Sequence, residues 1–394
     1  MKPVPPDYPG AVMFDEMELS EVRDVIENKS PFRFYGPKMK WKTRLFEERF
    51  AQYIGTKYCL AVSSGTAALV VALKALGVGP GDEVLVPAIT FIATAGAVLE
   101  CGAKPIFVEV DESLTMDVSD AANKVTEKTR TILPVHFAGV ACNMEGILEI
   151  SKKYSITIVE DCAQACGASY KGKKVGSLGL LGTFSFQINK IITTGDGGAV
   201  TSNDHRLYLR AVRAHDHGCL RDENGALGIE TSDEGFFSSQ YRMNELSAAV
   251  GLAQLSKIEK IIHNMRQNKR KLVQNLQDLK NFKLAKVHDE DGDSGRNLVL
   301  ISKSIAKAME LIGELKKLGF AASLPYGGNT VYAHSQIKYG RRWDGKELYS
   351  RVKKCKFSED LAKRSVIVGI SPLFEEEHLA TLTNTVRKVD KSRI

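Results

Sequence analysis

Between Lys57 and Glu160 the chain keeps one rhythm, and that rhythm narrows the available folds more than any other feature. Apolar runs of strand length at residues 58–62, 83–86, 105–110, 131–135 and 156–160 are separated by stretches with helical spacing of apolar residues. Strands joined through helices pair in parallel, and helices then cover both faces of the sheet. The expected class is therefore α/β, with a mainly parallel sheet. Ligands of such sheets gather at the carboxyl ends of the strands, so the polar residues just beyond each run carry the functional information.

After the first run comes Ser63-Ser-Gly-Thr-Ala-Ala-Leu69, where a helix begins. Free N–H groups at a helix start, together with Thr66, suit a phosphate, although serine and threonine also cap helices with no ligand present. The run at 156–160 leads into Asp161, followed by Cys-Ala-Gln164. A carboxylate there either caps the next helix or pairs with a pyridine nitrogen and keeps it protonated. Phe91, in Thr90-Phe-Ile-Ala-Thr94, is either a core ring or a platform for a flat ligand.

Residues 181–200 open as a strand, turn through Lys190 and close on Gly195-Asp-Gly-Gly198. A lysine after a strand is ordinarily a solvated loop residue. Here Ser185 precedes it as a phosphate donor, and the glycines let backbone pack tightly around a bound group. A lysine held in this way can form a Schiff base with an aldehyde cofactor. Gln240 and Arg242 stand at the head of a long apolar helix and suit an anion, including one bound by a neighbouring subunit.

The rest of the chain frames this block. Prolines at 3, 5, 6 and 9 imply an extended or loosely held start. An amphipathic helix is predicted over 15–28, with Leu19, Val22, Val25 and Ile26 on one face. A second carries Leu45, Phe46, Phe50 and Tyr53. Helices follow near 205–217 and 242–276, then an acidic, glycine-rich loop at 288–295. Beyond it the pattern predicts a strand at 297–301, a helix at 305–318, a strand at 365–370 and a last helix after Pro372. The organisation read from this is a large domain over 1–265 and a smaller α+β domain over 266–394.

A net charge of +7 is mild, and the one basic group, Lys38, Lys40, Lys42 and Arg44, comes with no nucleic-acid motif; it suits a small anion or is a solvated face. Seven scattered cysteines fit reduced thiols of a cytoplasmic protein. Cys162 and Cys166 have no second pair or spaced histidine, so no metal site is read there. No apolar signal core and no membrane-length apolar window occur.

Taken together, these motifs resemble the DegT-type, fold-type I, pyridoxal phosphate sugar aminotransferases over almost the whole chain. The matching segments, in order, are Ser63 to Leu69, Pro87-Ala-Ile-Thr-Phe-Ile-Ala-Thr94, Pro134-Val-His136, Glu160-Asp-Cys-Ala-Gln164, Phe184-Ser-Phe186 with Lys190, and Tyr241-Arg-Met-Asn-Glu-Leu246. The resemblance implies a large three-layer domain and a smaller one, with pyridoxal 5'-phosphate as cofactor. It implies that Lys190 binds the cofactor and shuttles the proton, that Asp161 holds the pyridine nitrogen, and that Phe91 stacks on the ring. Gln164 would lie near the phenolic oxygen, while Thr66, the Ala67 amide and Ser185 would hold the phosphate. The family commonly places an asparagine where this chain has Gln240, reaching the phosphate across a homodimer, and another where this chain has Gly96. Glutamate is the implied donor and an anionic keto or aldehydo sugar the acceptor. The Pro-Gly opening and Phe32-Arg-Phe-Tyr-Gly36 are most similar to the branch that makes 8-amino-Kdo for lipopolysaccharide from the 8-oxo octulosonate, with Arg33 and nearby lysines meeting either a sugar carboxylate or a nucleotide diphosphate. A 4-keto or 3-keto nucleotide sugar is the alternative acceptor. The family's dehydratase branch has histidine where this chain has Lys190, and a non-catalytic cofactor-binding regulator is the alternative of another class.

Overall fold

The structure is a computed structural model describing residues 2–342, 344–349 and 352–392. Two helices come first, α1 (Glu16–Glu27) and α2 (Lys42–Ile54), and then the alternation sets in. It runs β1 (Tyr58–Val62), α3 (Gly65–Ala75), β2 (Glu83–Pro87), α4 (Ile92–Glu100), β3 (Lys104–Val108), α5 (Val118–Asn123), β4 (Thr129–Ile132), α6 (Met144–Tyr154) and β5 (Thr157–Asp161). A small hairpin, β6 (Ser169–Tyr170) and β7 (Lys173–Lys174), leads to β8 (Leu181–Ser185), β9 (Gly198–Ser202) and α7 (His205–His215).

The main sheet has the order β1-β9-β8-β5-β4-β2-β3. Every pair from β8 to β3 is parallel, as the rhythm predicts, whereas β9 runs against both of its neighbours. The connection matches the reversal: residues 186–197 form an irregular turn with no crossover helix, and β9 comes back as an antiparallel partner. Since β9 opposes both β8 and β1, those two strands point the same way. The carboxyl ends of β1, β2, β5 and β8 therefore lie along one edge.

Helix α8 (Glu245–Asn275) spans the molecule and leads into a second sheet of β10 (Phe282–Leu284), β11 (Asn297–Ser302), β12 (Ala322–Ser323) and β13 (Ser365–Gly369), in the order β10-β11-β13-β12. Helices α9 (Ile305–Lys317), α10 (Ser335–Lys338), α11 (Lys356–Arg364) and α12 (Glu376–Lys391) complete the smaller layer. The boundary expected at 265/266 falls inside α8. One hydrophobic cluster continues from Phe46 and Phe50 through Ile261 and Met265 to Leu298 and Val386.

One expectation about the N-terminal region is corrected. Helix α1 buries Val25, but Leu19 and Ile26 are exposed. Its rotation is set by Glu18, whose buried carboxylate accepts from Lys257 Nζ at 2.7 Å and Gln254 Nε2 at 2.7 Å on α8. A buried charge demands such partners, so this pair outranks the apolar stripe. Of the two readings of the first residues, the extended one holds, and the segment is tied down. Gly10 N donates to Lys190 O at 3.3 Å, and Lys2 Nζ meets Glu375 at 2.6 Å. A Cβ on Gly10 would stand 2.6 Å from Gln254 Oε1.

Tight packing at the edge yields a prediction. A side chain at Gly198 would press on the carbonyls of Ser64 and Phe184, both rigid backbone. Gly198→Ala should cost about 1–3 kcal/mol, the usual range for overpacking. Denaturant unfolding measures this, and an unchanged midpoint would contradict the packing described.

Candidate active site

A cavity of about 420 Å³ opens at the edge where those strands end. The start of α3 supplies Ser64, Gly65 and Thr66, β5 supplies Asp161, and the turn after β8 supplies Lys190; Arg296 and Tyr326 come from the smaller layer. Among the described residues lining the cavity, Lys190 and Arg296 are the basic side chains.

The turn carrying Lys190 is fixed by its own backbone. Lys190 N donates to Gln187 O at 2.9 Å, and Thr194 N to Phe186 O at 2.9 Å. Thr193 Oγ1 donates to Phe186 O at 3.0 Å and accepts from Gly195 N at 2.9 Å. Gly195 takes φ +84°, a left-handed conformation that favours glycine. The Lys190 side chain is half-buried and has no hydrogen-bond acceptor among the described residues. Burial holds its pKa below the ordinary lysine value; the charge of Asp161 opposes that shift and the charge of Arg296 adds to it.

Asp161 is buried, with Oδ2 accepting from Thr94 Oγ1 at 2.9 Å and Oδ1 from Ala163 N at 3.1 Å. Thr90 and Thr94, one helical turn apart, share a hydrogen bond of 2.8 Å behind it. Burial raises the Asp161 pKa, while these donors and the Lys190 charge pull it back. Next to it on β5, Glu160 faces the other side of the sheet. There it accepts from His136 Nε2 at 3.0 Å and from the amides of Gly176, Leu178 and Gly179 at 2.7–2.9 Å. His136, Glu160 and Cys162 lie within 4.8 Å of one another. Both imidazole nitrogens are already engaged, since Nδ1 accepts from Cys142 N at 3.1 Å.

At the start of α3 one expectation changes. The Ala67 amide is taken by the capping hydroxyl of Ser64 at 3.0 Å. The amides of Gly65 and Thr66, which no intrahelical bond can use, are the ones left for an anion. A Cβ on Gly65 would stand 2.6 Å from the Ser185 Cβ, so only glycine lets Ser185 come this close to the helix start. Phe91 lines the cavity with its ring 56% exposed. Gln164 donates to the Tyr326 hydroxyl at 2.9 Å and accepts from Ala138 N at 3.3 Å.

The structure thus brings Thr66, Phe91, Asp161, Gln164, Ser185 and Lys190 to one cavity, with Ala67 beside it. Gln240 lies outside, exposed, with its backbone bridged to Asp216. Arg242 is bound to Asp216, and Arg33 is buried against Glu47 at 2.8 Å, so Arg33 is not offered to a sugar carboxylate. Lys40 and Lys42 are similarly paired with Asp24 and Glu21. The sequence reading gave no role to Thr94, Arg296 or Tyr326. The signal for Thr94 was its four-residue spacing from Thr90. For Tyr326 it was the Gly327-Gly328 pair, which permits the left-handed turn the tyrosine shares at φ +46°.

Comparison with known proteins identifies the family. A sequence profile of the DegT/DnrJ/EryC1/StrS aminotransferase family matches residues 13–387, and the chain belongs to that family. It is 44% identical to the GDP-perosamine synthase of Caulobacter vibrioides over 220 residues, which cover 54% of this chain and 56% of that one. The chain thus spans little more than half the length of the GDP-perosamine synthases it first matches. An uncharacterised protein of Methanocaldococcus jannaschii is 32% identical over 402 residues, 95% of each chain. The X-ray structure of an aminotransferase from Psychrobacter cryohalolentis superposes with a TM-score of 0.83 at 28% identity, covering 95% of this chain and 97% of that one. Among the described residues no helix is long and apolar enough to cross a membrane.

The charge balance around Lys190 gives a prediction. Asp161→Asn removes the influence that raises the lysine pKa, so the amine should lose its proton at still lower pH. Reductive methylation of cofactor-free protein, followed across pH by peptide mapping, reads this out. Lys190 should react at lower pH than surface lysines, and at lower pH again in the variant. A reactivity curve unmoved by the substitution would contradict the coupling.

Proposed function

We propose that this protein is a pyridoxal phosphate-dependent aminotransferase that moves an amino group from glutamate to a keto or aldehydo sugar. The observation that carries this reading is the meeting, in one cavity, of a lysine with a lowered pKa, a buried carboxylate and a helix start with free amides. Those donors fit the cofactor. The Gly65 and Thr66 amides with the hydroxyls of Thr66 and Ser185 suit a phosphate dianion. Phe91 offers a flat apolar face, and Asp161 a fixed negative charge for a pyridinium nitrogen.

Bound pyridoxal phosphate supplies an aldehyde that condenses with amines and a protonated ring that draws electrons from the carbon losing its proton. The chain's own residues do the rest. Asp161, held by Thr94 and the Ala163 amide, keeps the proton on the ring nitrogen. Lys190, unprotonated at lower pH than a free lysine, takes the α-proton of the donor and returns a proton to the acceptor carbon. Gln164 fixes the Tyr326 hydroxyl above the same cavity. Reading 1–265 as the cofactor domain and 266–394 as the smaller one puts the cavity between them, with Arg296 and Tyr326 from the second part completing it.

Two acceptors remain. The 8-oxo form of the octulosonate Kdo, giving 8-amino-Kdo for lipopolysaccharide in the cytoplasm, rests on the similarity of residues 32–36. The names of the GDP-perosamine synthases favour a nucleotide-linked sugar, the 4-keto or 3-keto alternative. Offering both acceptors to the amine-loaded enzyme separates them, and amination of neither would count against a sugar substrate. The regulator reading is excluded by any turnover.

Lys190→Ala should retain pyridoxal phosphate through the phosphate and ring contacts, yet lose the yellow lysine-dependent absorbance. Its turnover should fall by at least about a hundred- to ten-thousand-fold, the usual contribution of an acid–base group. Wild-type-like kinetics would remove Lys190 from the reaction.

Gln240, outside its own cavity, serves the neighbouring subunit in this reading. Chains carrying Lys190→Ala and chains carrying Gln240→Glu should each be nearly inactive. Mixed one to one, they should recover roughly a quarter of wild-type activity, because each hybrid of a two-fold dimer has one intact site. No recovery in verified hybrids would place Gln240 in its own site or in none.

A further inference from the structure

Arg296 is a charged side chain only 8% exposed, yet it lines the cavity. Its Nη1 donates to Asp7 Oδ1 at 2.5 Å, and its Nη2 reaches Asn189 O at 3.4 Å, a long bond. A guanidinium carries more donors than these two acceptors use. Asn189 directly precedes Lys190, so the arginine and the lysine share one wall. They lie near enough for the Arg296 charge to help lower the lysine pKa.

The partner of Arg296 is unusual in its origin. Asp7 belongs to no helix or strand but to the extended N-terminal segment. That segment is tied to the smaller layer by Lys2 and Glu375, and to the lysine turn by the Gly10 amide. Gly369 leaves the space that the Asp7 carboxylate fills, where any Cβ would collide with it. A carboxylate is thus carried from a remote part of the chain to one arginine beside the reacting lysine, and it engages that arginine through a single oxygen.

We propose that Arg296 is the residue that recognises a substrate carboxylate, and that Asp7 holds its place until the substrate arrives. A planar guanidinium matches a carboxylate through two parallel bonds, and an incoming carboxylate that makes both outcompetes a partner that makes one. The exchange leaves the charge around Arg296 unchanged, so the buried arginine is never left unpaired. This assignment rests on the aminotransferase reading and deepens it by naming what the cavity recognises. The carboxylate comes either from the glutamate and 2-oxoglutarate pair or from an octulosonate acceptor.

Holoenzyme kinetics for glutamate and for each acceptor, on wild type, Arg296→Lys and Asp7→Asn, distinguish the sources. Arg296→Lys keeps the charge and loses the fork. It should raise KM for the carboxylated substrate by about ten- to a hundred-fold, the scale of a charge-assisted hydrogen bond, with a smaller change in kcat. A rise confined to glutamate assigns the donor, and a rise confined to the octulosonate assigns the acceptor. Asp7→Asn removes the competitor and should lower the same KM. Calorimetric titration of 2-oxoglutarate or the octulosonate into the holoprotein gives a readout independent of turnover: binding weakens in Arg296→Lys and tightens in Asp7→Asn. A protein that binds the carboxylate through Arg296 but transfers no amine would sink the aminotransferase reading and leave this one standing. If Arg296→Lys melts like wild type and neither KM nor binding moves, the proposal is overturned. If Arg296→Lys does not fold, Asp7→Asn decides, and unchanged or weaker carboxylate binding there overturns it equally.

Discussion

Two neighbouring carboxylates at the end of β5 face opposite sides of the sheet, and much of the site depends on them both being satisfied. Burying an ionised carboxyl without partners costs several kcal/mol, so each one dictates what surrounds it. Glu160 gathers His136 and three amides of the 176–179 turn. That turn leads directly into β8, so satisfying Glu160 places the strand that ends in Ser185 and leads into the Lys190 turn. Asp161, on the cavity side, is held by Thr94 and the Ala163 amide. One dipeptide thus positions the lysine turn from behind and presents a fixed charge in front.

Opposing charges in the cavity then set its chemistry. Burial and Arg296 both disfavour the charged form of Lys190, while Asp161 favours it. A lysine poised in this way is available as a nucleophile and as a base under conditions where a free lysine is protonated. The N-terminal segment adds to this balance, because Asp7 pairs with Arg296 and the Gly10 amide binds the Lys190 carbonyl. Residues that precede the first helix are therefore part of the cavity's electrostatics.

The parts of this arrangement that were legible in the sequence are those set by local pattern. Strands β2 and β5 were visible because buried parallel strands read as continuous apolar runs, β1 because it too is buried along most of its length, and Lys190 because glycines follow it. Residues whose role depends on distant partners were not legible. Arg296 reaches the cavity from the residue before β11, in the second sheet, and nothing near it in sequence announces that. Arg33 looked free for a ligand because Glu47, which buries it, sits in the next helix. The apolar stripe of α1 misled for a similar reason: the Glu18–Lys257 pair turning the helix joins residues far apart in the chain. Ala67 illustrates the limit at the scale of one turn, since choosing between its amide and those of Gly65 and Thr66 required the Ser64 rotamer.

The central claim is that Lys190 is the residue to which the cofactor is joined. Reducing the holoprotein with borohydride fixes any imine as a stable secondary amine, and peptide mapping then locates it. The account predicts a single modified peptide, with the pyridoxyl group on Lys190. Attachment to another lysine, or to none, would contradict it.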